Sequence, residues 1–225
     1  MKSSLKPHPK PLFIINFKTY EQTTGKNALR LAKAIEKASP MHVDVILSVQ
    51  PFDLREIASS VKIPVYSQHL DPVDPGSHTG WILPLAVKRS GGKGTLLNHS
   101  EHMIDFKTLE KSLRFAKSLG LTVVACADTP TSAGRIAKLR PDFLAIEPPE
   151  LIGGNISVSE AKPDIITKTI KKAGNIPVLV GAGIKTKEDV RKGMELGARG
   201  ILVASGVVKA SRPGKAVKDM LQGFY

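Results

Sequence analysis

The chain has 225 residues, of which 41% are apolar and 24% charged, ordinary proportions for a globular protein with a substantial core. Its longest wholly apolar stretches run to only a few residues, far short of the roughly 20 that cross a bilayer, and Asn16 and Lys18 interrupt the N-terminal run before it can act as a signal segment. The net charge of +13 is carried by scattered basic residues at helix-like spacing, such as Lys107, Lys111, Arg114 and Lys117, with only 5% aromatic residues; this reads as solvated helix faces, not a nucleic-acid surface, and its positive field attracts small anions.

In chain order, strand-like and helix-like segments alternate from end to end. Leu12–Asn16 is the first expected strand. Ala28, Leu31, Ala32 and Ile35 then fall at i, i+3, i+4 and i+7, one apolar helix face. Expected strands follow at Val43–Ser48, Pro64–Gln68 and Gly94–Asn98, and a helix whose apolar face is Leu109, Leu113, Ala116 and Leu119 is stopped by Gly120. Thr122–Ala127 holds the single cysteine, Cys126, which excludes an internal disulfide and reads as a buried strand thiol in a cytoplasmic protein. Asp142–Ile146 is the sixth strand, and Ala161 to Ala173 the helix before Gly174. Pro177–Ala182 is the seventh; Thr186 before Lys187, Glu188 and Asp189 reads as an N-cap with acids in the first turn; and Gly200–Ala204 is the eighth.

Most of these strands are continuous apolar runs, as parallel strands covered on both faces should be. Eight of them with intervening helices predict a closed (β/α)8 barrel as a single domain over residues 1–225. The open doubly wound alternative should carry G-x-G-x-x-G after an early strand, and none is present.

Active sites of such barrels lie at the C-terminal ends of the strands. Those ends offer Asn16 and Lys18, Gln68 and His69, Asn98 and His99, Glu147, Gly181 and Gly183, and Ala204, Ser205 and Gly206. An imidazole and a carboxylate facing each other across the mouth would perform acid–base chemistry. Composition does not choose between His69 and His99, and the small residues after strands seven and eight fit an anion cradle or tight turns equally well. The six histidines show no metal-ligand spacing.

The motifs in these positions resemble the triosephosphate isomerase family, in its shorter archaeal form. They are Asn16-Phe17-Lys18, Gly76-Ser77-His78-Thr79-Gly80, Leu97-Asn98-His99-Ser100-Glu101, Ala145-Ile146-Glu147-Pro148-Pro149-Glu150-Leu151-Ile152-Gly153, Val180-Gly181-Ala182-Gly183-Ile184 and Leu202-Val203-Ala204-Ser205-Gly206. The resemblance implies cofactor-free, metal-free interconversion of dihydroxyacetone phosphate and glyceraldehyde 3-phosphate, a step of glycolysis and gluconeogenesis. It implies Glu147 as the base, His99 as the neutral electrophile and Lys18 as the cation, paired with Glu101; the neutral imidazole and the closing lid are established for that family. Asn16, Lys18, Ile152, Gly183, Ala204 and Ser205 are the implied substrate contacts. Thr79-Gly80 resembles the loop tip that enters a neighbouring subunit, so a homo-oligomer is expected, a tetramer before a dimer. The chain departs from the longer family members at Ala204-Ser205, where they have paired glycines, at Glu150-Leu151-Ile152, which lacks their lid tryptophan, and at His102-Met103, where they carry an arginine.

Two rivals frame this reading. Another phosphate-binding barrel would explain the glycines but not Asn-x-Lys, His-Ser-Glu and Glu-Pro together. A basic nucleic-acid-binding protein would bind with an affinity that falls steeply with salt.

Overall fold

A computed structural model describes residues 10–148, 157 and 161–225. Eight parallel strands close in sequence order: β1 Leu12–Asn16, β2 Asp44–Val49, β3 Val65–Ser67, β4 Gly94–Leu97, β5 Thr122–Ala127, β6 Phe143–Ile146, β7 Val178–Val180 and β8 Gly200–Val203. The barrel shuts where Leu12 of β1 registers with Gly200 of β8.

The continuous apolar runs have a simple cause. Successive strand side chains point to opposite faces, so Leu12 and Ile14 fill the barrel interior with Ile46, Tyr66, Leu96 and Phe143. Phe13 and Ile15 point outward into the layer shared with the helices. Both faces are buried, and alternation disappears from the sequence. The interior is tightly filled. A Cβ on Gly94 would lie 2.5 Å from the Thr122 carbonyl oxygen and 2.7 Å from the Tyr66 ring, so only glycine fits there. Burial raises the Tyr66 phenol to about 12, only partly offset by its bond to Thr122.

The helices follow: α1 Lys26–Ala38, α2 Pro51–Ser60, α3 Pro84–Arg89, α4 Phe106–Ser118, α5 Pro130–Ala137, α6 Pro163–Ala173, α7 Lys187–Glu195, α8 Ser205–Val208 and α9 Pro213–Leu221. Ala28, Leu31, Ala32 and Ile35 all bury on α1, as their spacing requires. Thr186 caps α7 through a reciprocal box in which its side chain accepts from the Asp189 N–H. Five of the described helices, α2, α3, α5, α6 and α9, have a proline at the start, where its missing N–H costs no hydrogen bond.

The strands are shorter than the apolar runs at their functional ends. Asn98 has φ +58 and Ala182 φ +71, so each turns out of the ladder instead of extending it. Pro177 brings no N–H to pair, and β7 begins one residue later. No helix among the described residues is long and apolar enough to cross a membrane.

Candidate active site

The exits of β1 and β4 carry a connected polar network. Asn16 is buried, and its Oδ1 accepts the Lys18 N–H at 3.0 Å. Lys18 sits at φ +53, a left-handed conformation that costs a non-glycine residue about 1–2 kcal/mol. Its Nζ reaches Glu101 Oε1 at 2.6 Å, the pairing expected from the sequence. Gln68 joins the same network, its Nε2 donating to Asn16 Oδ1 and to the Lys18 carbonyl.

On the β4 side, Asn98 locks the next turn, with Nδ2 donating to the Cys126 carbonyl and Oδ1 accepting from Ile104 N–H. This fixes His99, whose Nδ1 accepts the Glu101 backbone N–H at 3.1 Å. A ring nitrogen that accepts carries no proton, so the hydrogen of the uncharged ring is on Nε2. The Glu101 carboxylate is 3.8 Å from Nδ1, too long to compete for it. Nε2 points across the mouth to Glu147 Oε2, 3.5 Å away.

Glu147 follows β6 with its own N–H held by the Ala127 carbonyl at 2.9 Å. It is only 6% exposed, and Oε2 has no hydrogen-bond partner among the described residues. Gly181, which the sequence offered as part of an anion cradle, has a different job. A Cβ there would stand 2.5 Å from Glu147 Cγ and 2.8 Å from Oε1, so its bare backbone makes the space in which the carboxylate sits. Cys126 lies beneath. Its thiol is pushed well above the usual range, first by burial and then by the Glu147 charge, and it stays protonated instead of acting as a nucleophile.

The sequence left His69 and His99 as equal candidates, and packing separates them. His69 Nε2 pairs with Asp71 Oδ1 at 3.2 Å, and its ring stacks on His102 at 4.3 Å. Burial pushes His69 down, only partly offset by Asp71. The other Asp71 oxygen accepts the Ile82 N–H at 2.6 Å, so this histidine braces the loop from Asp71 to Ile82 and does not face the carboxylate.

Asn16, Lys18, His99 and Glu147 line one small cavity of about 30 Å³ with Gly183, Ala204 and Ser205. The structure thus brings together the described residues that the resemblance implies as catalytic or substrate-binding, while Gln68, His69, Asn98, Gly181 and Gly206 do not line this cavity; Ile152 and Gly153 lie outside the described residues. Gly183 has φ +73, and Ala204 precedes the short α8. A second cavity of about 740 Å³ opens beside the first, between the exits of β2, β3 and β4. No group of three or more His, Cys, Asp or Glu side chains among the described residues could hold a metal ion.

Gln68 is the residue that sequence reasoning undervalued. It was visible only as one polar side chain at a strand end, and nothing in its neighbours reveals that it bonds to the Lys18 carbonyl, 50 residues earlier.

A closed (β/α)8 barrel carrying an imidazole, a carboxylate and a lysine on the rim at the strands' C-terminal ends defines a barrel enzyme equipped for proton transfer. Comparison with known proteins narrows the class. The family model for triosephosphate isomerase matches residues 11–221. Triosephosphate isomerase of Methanobacterium bryantii is 45% identical over 216 residues, 94% of this chain and 96% of that one. Those of Saccharolobus solfataricus, 45% over 215 residues with 94% and 95% covered, and of Methanocaldococcus jannaschii, 43% over 216 residues with 94% and 99% covered, are similarly related. The chain belongs to the triosephosphate isomerase family.

Proposed function

We propose that this barrel interconverts dihydroxyacetone phosphate and glyceraldehyde 3-phosphate, in glycolysis and gluconeogenesis, with Glu147 as base, His99 as electrophile and Lys18 as cation. The observation that carries the assignment of roles is the pair itself: a protonated Nε2 on His99 opposite an unpartnered Glu147 oxygen, 3.5 Å apart. A substrate must part them, with its carbonyl oxygen at Nε2 and its two reacting carbons under the carboxylate.

Glu147 then takes a proton from the carbon beside the carbonyl, leaving an enediolate, and returns it to the neighbouring carbon. Such a carbon acid is weak, so donors aimed at the developing oxygen charge lower the barrier. His99 Nε2–H is one. Asn16 supplies another, because its Oδ1 is occupied by two donors and its Nδ2 is left for the ligand. Lys18 adds a full positive charge for the enediolate and the phosphate dianion. Its pairing with the half-exposed Glu101 sets its reach until substrate competes. The phosphate is read as held by backbone N–H groups of Gly183, Ala204 and Ser205 and by Ile152. Residues 1–225 form one catalytic domain in this reading.

A coupled assay with glyceraldehyde 3-phosphate, repeated with 2-phosphoglycolate as competitor, tests the reading. Turnover that phosphoglycolate inhibits competitively is expected; no turnover of triose phosphates would end it.

The same reading makes the protein a cytoplasmic homo-oligomer, a tetramer before a dimer, with neither nucleic acid nor membrane as partner. Support comes from the 740 Å³ cavity beside Lys18 and Glu101, whose walls include Phe52 and Trp81, 96% and 54% exposed in the single chain. The loop 76–80 is exposed as well and has the length of a segment that could enter such a cavity on a second copy. Light scattering after size exclusion decides it, and a mass of one chain, 24.2 kDa, would refute it.

A further inference from the structure

Lys18 enters the cavity from a backbone conformation that lysine seldom adopts, φ +53, and such residues stay there only when their surroundings over-determine them. Part of the restraint comes from its own strand, since Asn16 Oδ1 accepts the Lys18 N–H at 3.0 Å. The rest comes from across the barrel. Gln68, just past β3, sends its Nε2 to the Lys18 carbonyl at 2.9 Å and to Asn16 Oδ1 at 3.2 Å, with the Ser48 carbonyl at 3.4 Å. We infer that Gln68 is a positioning residue: its side-chain amide clamps both ends of the Asn16–Lys18 turn and thereby sets where the Lys18 ammonium stands. The inference rests on the proposed role of Lys18 toward the substrate.

The chemistry of the contact demands an amide of one orientation. Two of the three neighbours are peptide carbonyls, and the third is identified as oxygen because it accepts a peptide N–H. An amide oxygen turned this way would face three acceptors, so only the NH2 group fits. Glutamate, which is acceptor-only when ionised, would repel all three. Leucine would fill the space and leave the oxygens without their donor.

The clamp is also the rigid end of the lysine. At the other end, Nζ is tied to Glu101, whose side chain is 54% exposed. Gln68 is itself anchored, its N–H donating to the Val49 carbonyl at 3.1 Å, while Phe17 N–H donates to the Ser48 carbonyl at 2.9 Å. The exits of β1, β2 and β3 are therefore one hydrogen-bonded unit, and the root of Lys18 moves only if that unit does. A four-carbon stem with a fixed root delivers its charge to a small volume; with a loose root it does not.

The experiment is a double-mutant cycle in the full chain: Gln68→Leu, Lys18→Ala and the pair, read by KM, kcat and calorimetric binding of 2-phosphoglycolate. Gln68→Leu should lower kcat/KM by roughly 10²-fold, the size of effect produced by displacing a working group by about 1 Å. The loss should fall in KM as well as kcat, because the charge holds the phosphate dianion of bound substrate and also meets the enediolate charge that develops later, and phosphoglycolate should bind more weakly in parallel. Combined with Lys18→Ala, the same change should cost less than about two-fold, since residues acting as one unit are non-additive. A full loss persisting without Lys18, or an unchanged KM and phosphoglycolate affinity in Gln68→Leu, overturns the inference. Gln68→Asn, which keeps the amide but loses one methylene of reach, carries the same cycle should Gln68→Leu not fold. Phosphoglycolate binding decides even in a protein that turns over no triose phosphate, a result that would instead count against the proposed reaction.

Discussion

The two halves of the barrel mouth are built on opposite terms. On the side of β1, β3 and β4, the working side chains hold one another in place: Lys18 Nζ with Glu101, Asn16 Oδ1 with Lys18 and Gln68, His99 Nδ1 with the Glu101 backbone. On the side of β6 and β7, Glu147 keeps one buried oxygen without any among the described residues, in a space made by the missing side chain of Gly181. The contrast teaches how one site serves two tasks. Donors that stabilise developing charge work best when they are already in place and need no reorganisation. A base needs a free lone pair, and a carboxylate saturated with hydrogen bonds has none to offer.

The comparison breaks most completely at the base. Glu147→Gln keeps the shape and removes the proton acceptor, so kcat should fall roughly 10²–10⁴-fold, with phosphoglycolate binding largely kept; near wild-type turnover in the coupled assay would take Glu147 out of the role. On the donor side, His99→Gln should cost roughly 10²–10³-fold in kcat, the usual effect of losing one donor to an oxyanion. Unchanged kinetics there would make His99 a structural residue like His69. A third substitution reaches the base without touching it. Gly181→Ala drives a methyl group to 2.5 Å from Glu147 Cγ, and displacement of the carboxylate by about 1 Å should lower kcat/KM roughly 10²-fold. Crowding of this kind also destabilises by about 1–3 kcal/mol, measurable by urea unfolding; wild-type kinetics in Gly181→Ala would show that the tight fit does not aim the base.

The smallest expected effect on activity lies beneath both halves, in the interior layer that supports them. Tyr66 ionises near 12 in the folded barrel, against an ordinary 10. Its folded value is raised, so the associated stability is complete below pH 10 and is lost as pH climbs through about 12. The difference amounts to about 3 kcal/mol. Tyr66→Phe should therefore lose less stability than the parent over that interval, with turnover at neutral pH unchanged. Equal alkaline slopes in denaturant titrations would show that Tyr66 is not the group responsible.

Much of this was legible in the residues. All eight strands were readable as apolar runs, and the α1 face and the Thr186 cap follow from local spacing alone. Asn16, Lys18, His99, Glu147, Gly183, Ala204 and Ser205 were readable as strand-end residues, and they line one cavity. Other features were not. The short helices α3 and α8 have too few residues to display a period. The strand ends were drawn too long at Asn98 and Ala182 because a positive φ on a non-glycine residue leaves no compositional mark.

What the sequence determined by itself is the alternation of buried strand and amphipathic helix, and the kinds of chemistry waiting where each strand stops. Those features depend on neighbours a few positions away. The choice of His99 over His69, the service of Gly181 to Glu147 and the hold of Gln68 on Lys18 were decided only by the closed barrel. Each is a contact of a few ångströms between segments dozens of residues apart, and such a distance exists only after the sheet has curled round on itself.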